Sequence, residues 1–75
     1  LSLEALMLGL RTTAGLDLEE TGRRFGCDLR GSNRRLIARL VKDGYLTDDG
    51  RVMRPTLAGL AVADAMAGWF EIPTD

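Results

Sequence analysis

Side chains able to carry acid–base or nucleophilic chemistry are few in this chain of 75 residues. They comprise eleven carboxylates, one tyrosine and one cysteine, Cys27, and there is no histidine. A Ser/His/Asp triad needs an imidazole to move the proton, and a zinc or iron–sulfur site needs several thiolates or imidazoles. We therefore predict no catalytic residue, no metal site and no cofactor site within the chain itself.

Two small features are compatible with chemistry but also with ordinary structure. Asp48 and Asp49 form the only adjacent acidic pair that we place outside a helix, and neighbouring residues of a tight turn point apart into solvent. Cys27 lies between Arg24 and Arg30, which would favour a reactive thiolate, although a partly buried turn residue is the simpler interpretation. We predict structural roles for all three.

The charge is distributed unevenly, although the net charge of the whole chain is only −1. Residues 21–42 contain seven basic residues and one acidic residue, a local net charge of +6. The rest of the chain has three basic and ten acidic residues and carries −7. Such an asymmetry indicates an anionic partner, either a phosphate or a carboxylate. The seven basic residues are Arg23, Arg24, Arg30, Arg34, Arg35, Arg39 and Lys42.

Four amphipathic patterns predict the helices that position these charges. We expect the second helix to end at Gly26, the third to run to Asp43 and the fourth to continue to Phe70. Each helix is preceded by a residue whose side-chain oxygen can accept a hydrogen bond from the first turn. These predicted caps are Ser2, Asp17, Ser32 and Thr56.

Between the third and fourth helices, the sequence predicts a small β-hairpin. Residues 45–47 and 51–54 have the composition of short strands, and Asp49-Gly50 supplies the positive φ that a tight hairpin turn requires. The order of helix, helix, helix, hairpin and helix predicts a mostly helical, winged-helix-like domain. Its predicted core consists of Leu6, Met7, Leu10, Phe25, Leu36, Ile37, Leu40, Leu46, Leu60 and Trp69.

One candidate function follows from this order of elements. The second and third helices have the spacing of a helix-turn-helix unit, whose second helix can enter the major groove of DNA. Basic residues lie opposite the apolar face of the third helix, and further arginines lie on the wing. DNA binding by a transcription regulator is therefore one interpretation, and a charged, solvated helix face is the simpler one. The DNA contacts would be Arg34, Arg35, Arg39, Lys42, Arg51 and Arg54.

A second candidate comes from a family resemblance that covers most of the chain. Residues 4–12 read EALMLGLRT and are followed by GLD at 15–17 and FG at 25–26. The second half contains DGYL at 43–46, GRV at 50–52, TLAG at 56–59, ADA at 63–65 and Phe70. This pattern resembles the C-terminal domain of the radical SAM, oxygen-independent coproporphyrinogen III oxidase-like family, which includes heme chaperones.

The resemblance implies a division of labour within a longer protein. In that family, an N-terminal barrel with a three-cysteine motif binds a [4Fe-4S] cluster and S-adenosylmethionine. This sequence has no such motif, so the resemblance implies that residues 1–75 form a single, non-catalytic accessory domain. Coproporphyrinogen oxidation or heme delivery would belong to the longer protein. The implied partners are the barrel of the same polypeptide and, through it, a porphyrin or heme.

The surface that would meet the barrel is predicted on the first helix and the wing. The first helix has more apolar residues than one buried face uses, since Leu8 lies about 100° from Met7 around the helix. Arg11 lies in the most specific part of the resemblance. It contacts the barrel or porphyrin, or it has an internal role: it caps a helix C-terminus or pairs with Asp17 or Asp43. The predicted contact residues are Leu8, Leu10, Arg11, Thr12 and Met53.

The sequence also predicts the compartment. The chain begins at Leu1 directly with a helical pattern, so we expect a piece of a longer protein that lacks a secretory segment. Its apolar runs are shorter than the ~18 residues that a membrane span needs. Together with the lone thiol, these features predict a cytoplasmic protein.

Overall fold

The structure is a computed structural model that describes residues 1–73. The helices are α1 (Leu3–Leu10), α2 (Leu18–Phe25), α3 (Leu29–Ser32), α4 (Arg34–Lys42), α5 (Leu57–Ala61) and α6 (Ala63–Trp69). The strands are β1 (Leu16–Asp17), β2 (Leu46–Asp48) and β3 (Val52–Pro55). The prediction of a mostly helical domain with a hairpin wing is confirmed.

Three of the four predicted helix caps are present. The Ser2 hydroxyl accepts a hydrogen bond from the amide of Ala5 at 3.1 Å, which satisfies a free donor at the start of α1. The Asp17 carboxylate accepts from the amide of Glu20 at 3.0 Å. The Thr56 hydroxyl accepts from the amide of Gly59 at 3.1 Å. The sequence therefore located the starts of α1, α2 and α5 correctly.

The prediction that Ser32 begins the third helix is wrong. Ser32 is the last residue of the short helix α3, which Asp28 caps, and α4 begins only after Asn33. The buried Asn33 amide group donates to the carbonyl oxygens of Leu29 at 2.9 Å and Glu71 at 2.7 Å, and it accepts from the Glu71 amide at 2.8 Å. These contacts fix the break between the two helices and tie it to the end of the chain.

The predicted fourth helix is also divided into two. Val62 has φ −120° and ψ 20°, which separates α5 from α6. Leu57, in the first turn of α5, is 87% exposed. At Gly59 a β-carbon would collide with the carbonyl oxygen of Tyr45, so α5 packs its backbone closely against that loop. This close contact holds α5 against the loop before β2, and the helix is interrupted at Val62 before α6 begins.

The wing contains a third strand that the sequence did not reveal. The hairpin pairs β2 with β3 in antiparallel register, with Thr47 opposite Arg54. On the other side of β3, β1 pairs Leu16 with Met53, which gives the strand order β1-β3-β2. Gly15 enters β1 at φ 73°, where a β-carbon would collide with the carbonyl oxygen of Met53. A strand of two residues is too short to show alternation in a sequence.

The core is centred between the helices and the inner face of the sheet. Five of its predicted members are buried: Leu6, Leu10, Ile37, Leu40 and Leu46. Met7, Leu36 and Leu60 are only half-buried. The core also contains seven residues outside that predicted list: Leu18, Leu29, Met53, Ala63, Met66, Ala67 and Phe70. No helix within residues 1–73 is long and apolar enough to cross a lipid bilayer.

Two aromatic residues that we predicted in the core lie at the surface. Phe25 is 41% exposed and Trp69 is 53% exposed. Each is the last residue of its helix, where the side chain projects past the elements that cover the preceding turns. On α6 the inward positions are taken by Met66, Ala67 and the following Phe70. Both aromatic side chains are therefore available to a partner.

Candidate functional site

The structure separates the five predicted contact residues into two groups. Leu8 is 64% exposed, and Arg11 and Thr12 are exposed where α1 ends. Leu10 and Met53 are completely buried, so the prediction that they belong to a surface patch is wrong. Leu10 lies on the inward face of α1, which packs against α6, and Met53 lies in the central strand of the sheet.

Arg11 has an internal partner that the sequence did not suggest. Its Nε and Nη2 atoms donate to Oδ1 of Asp64 at 2.8 and 2.5 Å, which connects α1 to α6. Neither Asp17 nor Asp43, the two partners that we considered, makes this contact. The hydroxyl of Thr12 donates to the carbonyl oxygen of Gly9 at 3.3 Å. Because Arg11 and Asp64 are both exposed, the pair remains accessible to a partner.

An apolar groove lies beside Leu8. We call it the α1–α2 groove, and its cavity volume is about 300 Å³. Leu8 and Phe25 form its exposed apolar border, and the guanidinium carbon of Arg24 lies 5.7 Å from the centre of the Phe25 ring. The groove is lined by Leu1, Ala5, Leu8, Leu16, Asp17, Glu20, Thr21, Arg24 and Phe25.

The basic residues of α4 form a second distinct surface. Arg34, Arg35, Arg39 and Lys42 are all exposed, as the helical periodicity predicted. Arg39 lies 3.8 Å from a carboxylate oxygen of Asp43, one turn further along the helix. For the other three, no salt bridge is present within residues 1–73. Most of the positive charge on α4 is therefore unpaired in the part of the chain that the structure describes.

The wing arginines, by contrast, are already engaged. Nε of Arg51 donates to Oδ2 of Asp17 at 2.8 Å, and Nη1 of Arg54 donates to Oδ2 of Asp49 at 3.2 Å. Hydrogen bonds from the amides of Val52 and Arg51 lower the pKa of Asp49 to about 2, with a further contribution from Arg54. Each wing arginine thus faces an ionised carboxylate, which opposes contact with DNA phosphates.

The acidic pair in the wing has a structural role. We expected Asp48 to point into solvent, but it is half-buried and accepts hydrogen bonds from both terminal nitrogens of Arg30, one of them at 2.9 Å. It also accepts from the amide of Gly50 at 2.9 Å. The Arg30 contact is the main cause that lowers the pKa of Asp48. The Arg30–Asp48 pair joins α3 to the wing.

A comparison with protein-family models assigns most of the chain to one family. Residues 2–62 match the family model described as the HemN C-terminal domain. The chain belongs to this family. No curated protein and no solved structure gives a match. The matched range of the HemN C-terminal domain runs from the cap of α1 to the break after α5, and it includes Leu8, Phe25 and the whole of α4.

The residues of this HemN C-terminal domain do not suit an iron–sulfur cluster. A cluster is held by several cysteine thiolates, and this chain has only Cys27, which is half-buried. Within residues 1–73, no three His, Cys, Asp or Glu side chains lie close enough together to hold a metal ion. Neither the groove nor the basic face therefore offers a metal centre.

Proposed function

We propose that this chain is the non-catalytic accessory domain of a HemN-like protein and packs against an N-terminal catalytic barrel. The family match supports this proposal, because the family is described as a C-terminal domain. The longer protein is proposed to be a radical SAM coproporphyrinogen III oxidase or a related heme chaperone in the cytoplasm. Its [4Fe-4S] cluster and S-adenosylmethionine would be bound by the barrel, and residues 1–75 would form one domain beside it.

The contact with the barrel is proposed to be the α1–α2 groove. The observation that carries this assignment is the exposed Leu8, because Leu6 and Leu10 already occupy the inward face of α1. Phe25 extends the same apolar surface from α2. Burying one such side chain against a partner contributes about 1.5–3 kcal/mol, and contiguous exposed apolar area on a domain commonly marks a contact.

Arg11 and Thr12 are proposed to extend this contact at the end of α1. A domain that closes one end of a barrel excludes water from the site, and an arginine at its border can pair with the carboxylates of a porphyrin. Such a carboxylate would share the Arg11 guanidinium with Asp64, which already holds it on two nitrogens. The proposed role is to seal the site and to orient an acidic group, without participation in the chemical step.

The proposal is tested by introducing a charge into the groove of the complete protein. Leu8→Glu and Phe25→Glu should each weaken the association of the domain with the barrel and lower porphyrin turnover or heme loading at least about tenfold, since a charge would be buried without a partner. The association can be measured by adding this domain to the separately expressed barrel. Leu57→Glu is the matched control, because Leu57 is even more exposed and lies outside the groove.

The melting temperature of each variant domain separates loss of contact from loss of folding. All three side chains are exposed, so each variant should melt close to the wild type. Wild-type activity and association in a Leu8→Glu/Phe25→Glu double variant would disprove the groove as the contact. A loss of equal size in the Leu57→Glu control would also disprove it.

A further inference from the structure

A second surface of the domain combines an exposed tryptophan with exposed arginines. Trp69, at the end of α6, lies next to Leu36 of α4, and these two side chains line two neighbouring depressions. We call this surface the α4–Trp69 face. It has no residue in common with the α1–α2 groove, so it does not depend on the proposed contact with the barrel.

The first depression is apolar with a charged border. Its cavity volume is about 370 Å³, and Leu36, Leu40, Tyr45 and Trp69 supply its apolar wall. Arg39 and Asp43 lie at its border. The dimensions and lining suit one aromatic or aliphatic side chain. Met66, Ala67 and Phe70 are buried at this end of the domain, whereas about half of the Trp69 side chain is exposed.

The second depression lies on the other side of Leu36 and Trp69. Its cavity volume is about 560 Å³, and Arg34 and Arg35 line it together with Glu71. Neither arginine forms a salt bridge within residues 1–73. An apolar depression therefore adjoins a cationic one, with the Trp69 side chain between them.

We propose that the α4–Trp69 face binds an acidic segment of a partner protein. An apolar side chain of the segment would lie in the depression beside Trp69, and neighbouring carboxylates would pair with Arg35 and Arg39. Tryptophan and arginine are the residues that most often dominate the energy of protein interfaces. The planar guanidinium group matches a carboxylate through two parallel hydrogen bonds. Charge complementarity therefore determines the chemistry of the partner.

The same surface is less suitable for a nucleic acid. Asp43 lines the first depression and Glu71 lines the second, and both carboxylates would repel a phosphate backbone. Arg51 and Arg54, which would have to follow that backbone from the wing, are held by Asp17 and Asp49. A protein segment can place uncharged groups next to the two acids, whereas a nucleic acid carries a phosphate at every step.

The binding test uses the tryptophan itself as the reporter. Trp69 is the only tryptophan in the chain, so its fluorescence emission responds directly to occupation of this face. The main probe is a short synthetic peptide rich in Glu and Asp that contains a central Leu-Phe pair. Three further probes are its Gln/Asn counterpart, an acidic peptide with Ser in place of Leu-Phe, and a short DNA duplex.

We expect the acidic, apolar peptide to bind most tightly and to shift the Trp69 emission to shorter wavelength. Arg35→Glu and Arg39→Glu should each weaken this binding at least about tenfold, as expected for central interface residues. Trp69→Ala should do the same when binding is followed by fluorescence polarisation of a labelled peptide. The matched control is Arg23→Glu, which reverses an exposed arginine on α2 and should leave binding unchanged.

Circular dichroism of each variant shows whether it folds, and Arg35→Gln provides a milder variant if Arg35→Glu does not. Three results would overturn the proposal: equal binding of the Gln/Asn peptide, tighter binding of the DNA duplex, and no measurable binding of the acidic peptide. An equal loss of binding in Arg23→Glu would overturn it as well, because the attraction would then be unspecific.

Discussion

The arginines that contact the wing and the arginines of α4 differ in whether an aspartate accepts hydrogen bonds from them. Arg30, Arg51 and Arg54 each donate to a specific aspartate, and the Arg30 contact is half-buried. On α4, the only carboxylate contact within the described residues is the 3.8 Å approach of Arg39 to Asp43. Arg30 and Arg51 connect the wing to α3 and to the start of α2, and Arg54 acts within the hairpin, whereas the second group faces solvent.

The difference shows that local composition does not reveal which charges are available. The partner of Arg30 lies 18 residues away in sequence, and that of Arg51 lies 34 residues away. Arg30 belongs to the basic segment of residues 21–42, yet its charge is neutralised by Asp48. A surface for an anionic partner is therefore defined by the arginines that folding leaves unpaired.

Lowering the pH should affect the contacts of the wing-region arginines far more than the arginines of α4, because protonation of Asp17, Asp48 and Asp49 removes the wing contacts together. The pKa of Asp17 is lowered mainly by the amide of Glu20, that of Asp48 by Arg30, and that of Asp49 from its ordinary 3.8 to about 2 by backbone amides. A carboxyl with a lowered pKa in the folded state stabilises it above the ordinary pKa and loses this effect as the pH falls. In urea unfolding, the free energy of unfolding should therefore fall as the pH is lowered from about 4 to about 2.

Two variants test the origin of this acid sensitivity. Asp49→Asn keeps an oxygen acceptor for the wing amides but cannot be protonated, so it should show a smaller fall in stability. Asp43→Asn, directly after α4, is the matched control and should reduce the fall less, because the one salt bridge of Asp43 within residues 1–73 is the 3.8 Å contact with Arg39. Equal effects of the two variants would contradict the difference between the regions.

Arg30→Ala should have the largest effect among the arginine substitutions. It leaves the half-buried Asp48 without its two guanidinium hydrogen bonds, and we expect the free energy of unfolding to fall by about 2 kcal/mol. The measurement is urea unfolding followed by far-ultraviolet circular dichroism. Arg35→Ala is the matched control and should change the free energy by less than about 0.5 kcal/mol. A larger loss in Arg35→Ala than in Arg30→Ala would reverse the comparison.

Arg51→Ala should have a smaller effect than Arg30→Ala, although Arg51 also bridges two elements. Its contacts with Asp17 and Glu19 are exposed to solvent, where an ion pair contributes little to stability. The loss should diminish in about 1 M sodium chloride, where the screening length is only about 3 Å. A salt-independent loss would mean that the Arg51 side chain acts through packing.

The sequence predicted the parts of the fold that depend on neighbouring residues. The caps at Ser2, Asp17 and Thr56 and the Asp49-Gly50 turn are local hydrogen-bonding patterns, and the structure contains all of them. The break at Asn33 depends on a contact with Glu71, 38 residues away, and the periodicity of the apolar residues does not contain it. Local rules therefore identified the elements but not every boundary.

The candidate site was predictable to a similar extent. Leu8 was correctly placed at the surface because it lies off the apolar stripe of α1. Met53 was placed there incorrectly because the third strand, which makes β3 the central strand, was not visible in the sequence. Phe25 and Trp69 carry the strongest signals for a core, yet helix ends expose them. Their exposure follows from where a helix stops relative to its neighbours, which periodicity does not specify.

The strand order β1-β3-β2 has a consequence for synthesis of the protein. Strand β1 pairs only with β3, and α1 packs chiefly on α6, so both N-terminal elements have their partners in the second half of the domain. As the chain leaves the ribosome, α1 and β1 remain without those partners until Met53 and then α6 have emerged. Isolated short helices and strands are marginal in water. We therefore expect α1 and β1 to reach their final packing only after Met53 and α6 have left the exit tunnel.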